Sequence, residues 1–200
     1  VFGFPPENLH VITVQLTTLY RGPQKISMST RAGEFVTLRQ LIDEVGPEAA
    51  KFFFLFRKAD SHLDFDIELA KQKNDENPIY YLQYGYVRAS HILRHARERG
   101  FPSDAHADLS LLTEEPELFL VKKLDAFPEF VALAAKNLEV TAISRYLLDL
   151  VGLFHSYYHK IRVVTDDIPR SQARIALIRA LHTVLSNGMD LLSIGKPEEM

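Results

Sequence analysis

The chain has 200 residues, 46% of them hydrophobic and 24% charged, with a formal net charge of −3 and no cysteine. That length suits one large domain, or one domain plus a smaller piece. The charge excludes a polycation, so any nucleic-acid contact must come from local clustering of Lys and Arg. The missing cysteines exclude disulfides, thiolate catalysis and cysteine-ligated zinc.

The longest aromatic-aliphatic run, FFFLF at 52–56, is too short to span a bilayer. The first residues show no basic region followed by an apolar stretch, so no signal peptide is expected. The chain opens on Val1 and enters a hydrophobic pattern at once, which fits a piece of a longer protein.

In chain order, LHVITVQL at 9–16 is apolar and β-branched with little alternation, the pattern of a buried strand. RGP at 21–23 reads as a turn, and QKISM at 24–28 as a second short strand. The hydroxyl-rich loop STRAGEF follows. Thr37 and Gln40 form a capping-box pattern ahead of the helix LRQLIDEV. Gly46 ends that helix, and Pro47 opens a second one through EAAKFFFLFR. KQKNDENP at 71–78 is polar and turn-rich, and a boundary is placed there. Asn77 can cap, and Pro78 can start, a helix ending before Gly100. Further helices are expected near 104–112, 114–124, 128–137, 141–162 and 170–187, with Asn187–Gly188 read as a helix stop. The C-terminal part is therefore an all-α bundle.

Two helices carry a second face. On the first, Ile79, Leu82, Tyr86, Ala89, Leu93 and Ala96 form an apolar seam. Tyr80, Tyr84, Arg88, His91 and His95 recur at the same steps and lie nearly opposite, at ~100° per residue. On the second helix, Ile143, Leu147, Leu150, Phe154, Tyr157 and Ile161 form the seam, and His155, Tyr158 and Arg162 a neighbouring stripe. Arg170, Arg174 and Arg179 downstream are locally unopposed. Aromatic rings beside guanidinium and imidazole groups suit single-stranded bases and phosphates. The same edges also fit an acidic protein partner.

The pairs His91/His95 and His155/His159 have ligand spacing on one helical face, but lack the glutamate of a HExxH motif, so no metal is assigned. Asp64 and Asp66 share one face if DSHLDFD is extended, as either a cation site or a capped, solvated junction. Ser27 and Ser29 have no sequence-level partner that marks a nucleophile.

The run from MSTRAGEFVTLRQLIDEVGPEAAKFFFLFRKADSHLDFDIELAKQKNDENPIYYLQY, with VLSNGMDLLSIGKPEEM at the end, closely resembles arginyl-tRNA synthetase, a class I aminoacyl-tRNA synthetase. The resemblance covers essentially the whole chain. It implies a mainly α fold in three parts. Residues 1–37 correspond to a small α/β remnant of the nucleotide-binding catalytic domain, with its KMSKS-type loop. Residues 38–75 correspond to a helical connecting region that leans on the tRNA, and 76–200 to a DALR-type anticodon-binding bundle.

It also implies the family reaction: arginine attacks the α-phosphate of ATP, with Mg2+, and the arginyl group passes to tRNA-Arg. The signature loop reads Ser27–Met28–Ser29–Thr30–Arg31, with Ser27 and Thr30 where the family consensus has lysines. Ser29 and Arg31 are the expected phosphate contacts of this catalytic loop. The tRNA-binding residues implied are Tyr84, Arg88, Tyr158 and Met200. The resemblance further implies a cytoplasmic, monomeric parent enzyme with no membrane partner. A stand-alone tRNA-binding module and a helical protein-interaction module are the alternatives. The HIGH signature of the class is absent from these 200 residues. The chain alone is therefore expected to show no arginine-dependent ATP–pyrophosphate exchange, and clear exchange by the purified chain would refute that.

Overall fold

The computed structural model describes Gly3, Pro5 and residues 9–27, 36–101 and 107–200. Among them are three strands and eight α-helices. Strand β1 (Thr17–Arg21) turns through Gly22 and Pro23 into antiparallel β2 (Gln24–Lys25). Gly22 has φ +58°, the positive angle that such a two-residue loop needs at its first central position. On its other edge β1 runs parallel to β3 (Leu63–Asp66), with Thr17 opposite Leu63 and Leu19 opposite Phe65.

The strand expected at 9–16 is not formed. Leu9, Val11, Ile12, Val14 and Leu16 are 54–79% exposed. An all-apolar strand needs cover on both faces, and this stretch has neither face covered. Gln15 N donates to Ala59 O at 2.7 Å, and ladder pairing begins only at Thr17.

Helix α1 (Leu38–Val45) opens on the expected capping box: Thr37 Oγ1 accepts from Gln40 N, and Gln40 Oε1 accepts from Thr37 N. Gly46, at φ +84°, closes α1, and Pro47 begins α2 (Pro47–Leu55). Asp66 caps α3 (Ile67–Lys71) and also accepts from Gly22 N, so it joins the hairpin to this helix. Its neighbour Asp64 pairs instead with His62. Arg21 forks onto Glu44 of α1 at 2.6 and 3.0 Å and reaches Glu68 of α3 at 2.8 Å. The Arg21 guanidinium holds the Glu44 carboxyl well below the usual carboxylate range, at about 2.

Residues 72–76 carry no helix or strand. Asn77 then caps α4 (Pro78–Glu98), and Gly100 follows it at φ +82°. Within 107–112 a single 3-10 turn, Leu109–Leu111, stands where a helix was expected. Asp108 accepts from both Ser110 N and Ser110 Oγ, a local bond that competes with helix propagation. Residues 102–106 of that expected helix lie outside the described residues. Helices α5 (Glu115–Asp125), α6 (Phe127–Asn137), α7 (Thr141–Lys160) and α8 (Ile168–Leu191) complete the bundle.

Helix α8 does not stop at Asn187–Gly188. Gly188 is buried inside it, and an added Cβ would come within 2.5 Å of Leu147 on α7. The glycine there serves close helix approach, not termination. Gly85 does the same on α4: a Cβ would meet both methyls of Val151 at 2.7 Å.

One buried apolar cluster runs from Leu19, Phe52 and Phe65 through Leu82, Leu147 and Phe154 to Ile178 and Leu185. Polar ties cross the same junction. Glu48 of α2 accepts from Gln83 of α4 and from Gly195 N, and Lys51 donates to Ser193 O. Thr141 and Ser144 of α7 donate to Arg57 O and Leu55 O. Among the described residues, no helix is long and apolar enough to cross a membrane.

Two of the glycines inside helices, Gly85 and Gly152, give opposite expectations. Gly85→Ala adds a methyl against stiff, β-branched Val151. Its overpacking cost of ~1–3 kcal/mol should outweigh the ~1 kcal/mol of helix propensity gained. A Cβ at Gly152 meets only Tyr81 Oη, at 3.6 Å, so Gly152→Ala should stabilise by up to ~1 kcal/mol. Urea denaturation of both variants reads the two signs, and equal effects would contradict the packing described.

Candidate nucleic-acid interface

Helix α4 is covered by α7 and α8, which bury Ile79, Leu82, Gly85, Val87, Ala89, Ile92 and Ala96. The remaining arc carries Tyr80, Tyr84 and Arg88, half-buried, and His91 and His95, exposed. Helix α7 buries Leu147, Leu150, Val151, Phe154 and Tyr157 and leaves His155 and Tyr158 half-buried beside that arc.

The two arcs meet. Arg88 Nη1 donates to Tyr84 Oη at 3.0 Å. Its guanidinium lies 4.6 Å from the Tyr158 ring centre and 5.6 Å from that of Tyr84, within cation–π range of both. The His155 ring stands edge-on to Tyr81 at 4.9 Å and to Tyr84 at 5.6 Å. Its Nε2 is buried without a hydrogen-bond partner among the described residues.

Two open cavities adjoin at Arg88, Tyr158 and His159. The larger, about 650 Å³, is lined by the cations Arg88, Arg99, Lys160 and Arg162 and by His91, His95 and His159, with no described carboxylate. The smaller, about 380 Å³, has walls of Tyr80, Tyr84, Tyr158 and His155 and a rim from Lys73, Asn74 and Asp75. One cavity is thus rich in cations, and the other has aromatic walls.

A family model described as the DALR anticodon binding domain matches residues 82–200. The chain belongs to this family. It is 49% identical over 98% of its length to an arginine–tRNA ligase of Syntrophotalea carbinolica, and 46% identical over 99% to one of Acidithiobacillus ferrooxidans. It covers 36% and 34% of those proteins, so it spans about a third of the curated relatives' length. A solved arginyl-tRNA synthetase of Thermus thermophilus superposes with a TM-score of 0.68 at 27% identity, covering 86% of this chain and 29% of that one. A Campylobacter jejuni structure assigned as an arginyl t-RNA synthetase superposes at 0.83 with 26% identity, covering 99% and 42%.

The DALR domain contains Tyr84, Arg88 and Tyr158 in one cluster, while Tyr80 and the 73–75 rim precede the matched residues. Met200 is 47% exposed and lines neither cavity. Arg170 and Arg174 are not unopposed. Arg174 is buried and donates to buried Glu117 of α5 at 2.7 Å and to Arg162 O, and Arg170 pairs with Glu114 and Asp167. A long-range partner 57 positions away is invisible to a local charge count. Arg99 was missed, although it continues the His91–His95 stripe by one more turn; Lys160 and the 73–75 rim carry no helical-face signal at all. Ser27 is exposed and, with Lys25 and Thr18, lines an open cavity beside β1. Met28, Ser29, Thr30 and Arg31 lie outside the described residues. Among the described residues, no group of three or more His, Cys, Asp or Glu is placed to hold a metal ion.

Burial pushes the His155 imidazole below its ordinary value; Asp75 opposes that, and Arg88 and His159 add to it. Burial, then Lys196, lowers His182, which bonds Ser90 at 3.0 Å and stacks on Tyr86. Both rings are disfavoured as cations in the folded protein. The unfolded chain takes up their protons near pH ~6.5. Stability is therefore present above that pH and lost as pH falls below it. Denaturation midpoints should drop between pH 7 and 5.5, before carboxylates titrate. His155→Phe should flatten part of that drop, and an unchanged slope would remove His155 as a source.

Proposed function

We propose that this chain is the tRNA-facing part of an arginine–tRNA ligase, the enzyme that activates arginine with ATP and Mg2+ and transfers it to tRNA-Arg. The observation that carries the proposal is Arg88 held between Tyr84 and Tyr158, where a cationic cavity meets an aromatic one inside a DALR domain. Tyr84 and Tyr158 stack on anticodon-loop bases, and Arg88 contacts the base or its phosphate. Arg99, Lys160 and Arg162 hold the backbone that leaves that site.

The same reading divides the chain into a catalytic remnant (1–37), a connecting region (38–75) and the anticodon-binding bundle (76–200). Ser29 and Arg31 then serve the ATP phosphates from the KMSKS-type loop, with Ser27 and Thr30 in the lysine positions. Met200 is an apolar contact to RNA at the chain end. The parent enzyme works as a monomer in the cytoplasm.

Filter binding of the chain to tRNA-Arg across a salt series separates the roles. Tyr84→Ala should cost ~1–3 kcal/mol of binding at every salt concentration. Arg99→Ala and Arg162→Ala should each lower the salt slope by roughly 0.7, the single-strand value per cation. Equal, weak binding to tRNA-Arg and a non-cognate tRNA, unmoved by Tyr84→Ala, would overturn the assignment in favour of a protein partner.

A further inference from the structure

The smaller cavity has a feature that phosphate binding does not need. Its rim carries a carboxylate, Asp75, on the loop between α3 and α4. That residue is exposed and makes none of the ion pairs found among the described residues. It lines the same cavity as Tyr80, Tyr84, His155 and Tyr158. The loop beneath it is ordered by its own bonds. Asn74 Oδ1 accepts from Glu76 N at 3.1 Å, and Asn74 O accepts from Asn77 N at 3.1 Å. Asn77 in turn donates to Ala70 O and Gln72 O. Asp75 is therefore held at the rim by a braced turn, not by a partner of its own.

A carboxylate repels phosphate but accepts hydrogen bonds from the amino groups of bases. The sharing of work between the cavities follows from that. The larger one, lined by cations without a described carboxylate, takes the backbone. The smaller one, where Asp75 stands among Lys73, Arg88 and the aromatic walls, takes the flat part of a nucleotide. Stacking on Tyr84 and Tyr158 is indifferent to base identity, because every base has a π-face. Discrimination between bases falls to groups at the edge, and Asp75 is the carboxylate that the rim offers.

We propose that Asp75 is a specificity-determining residue. It favours, for the cavity between Tyr84 and Tyr158, a base that presents an exocyclic amino group over uridine, whose edge has one N3–H donor flanked by two carbonyl acceptors that a carboxylate repels. This rests on the tRNA-binding reading above, but adds a residue outside the matched DALR domain.

The probes are unmodified tRNA-Arg transcripts in which each amino-bearing base of the anticodon loop is changed singly to uridine. Wild-type chain should lose roughly ten-fold in affinity at one such position, as expected for a lost base-edge bond. Asp75→Ala should cut that ratio to about three-fold or less. It should do so by weakening the parent transcript while binding the uridine transcript as well as wild type does, or better, since a negative charge has gone. Asp75→Asn keeps an acceptor and should retain part of the ratio.

If Asp75→Ala weakens all transcripts equally, or leaves the ratio intact, Asp75 does not select the base and the proposal falls. Tyr84→Ala is assayed beside it. A Tyr84 effect without an Asp75 effect overturns only the specificity claim. No effect of either overturns the tRNA site itself.

Discussion

Everything in the candidate interface depends on how closely α4 approaches α7. Gly85 faces Val151 with no room for a methyl between them. Tyr84 precedes that glycine, and His155 and Tyr158 follow Val151 by one and two turns. A wider separation would move Arg88 out of reach of the Tyr158 ring, now 4.6 Å away. Cation–π attraction fades beyond about 6 Å, so the site tolerates little loosening. The glycine gives up some helix stability to set this distance. Gly188 against Leu147 does the same between α8 and α7, and α8 also packs on α4.

The cationic cavity has its own support. Arg174 and Glu117 form an ion pair almost wholly removed from water. Such pairs add little net stability, yet leaving one partner alone is costly, so the geometry is strongly enforced. Glu117 also accepts from Glu114 N, and Arg174 donates to Arg162 O. The pair thereby fixes the start of α5 and the backbone beside Arg162. The interface is preorganised by a charge pair that lines neither cavity.

Helical parts of this fold were legible because their signals are local. Thr37 with Gln40, Gly46 with Pro47, and Asn77 with Pro78 each mark a boundary within a few residues. The Tyr84–Arg88 stripe was legible for the same reason, since it follows from helical angle alone. What could not be read depends on distant partners. The run 9–16 has strand composition, but a strand needs a neighbour, and pairing starts only at Thr17. Gly188 looks like a stop until Leu147 is placed against it. Arg174 looks free until Glu117 arrives from another helix. Asp75 looked like part of a linker, because nothing in KQKNDENP shows which wall the loop would face.

Gln83 sits one residue before Tyr84 and donates to Glu48 of α2 and to Gly195 O. Glu48 also holds Gly195 N, so α2, α4 and the C-terminal segment share one three-way joint beside the aromatic cluster. Thr141 and Ser144 add a second joint between α2 and α7. Two separated joints thus tie α2 to the bundle, one at α4 and one at α7. The first helices are therefore fastened to the bundle by more than the covalent link through the 72–77 turn.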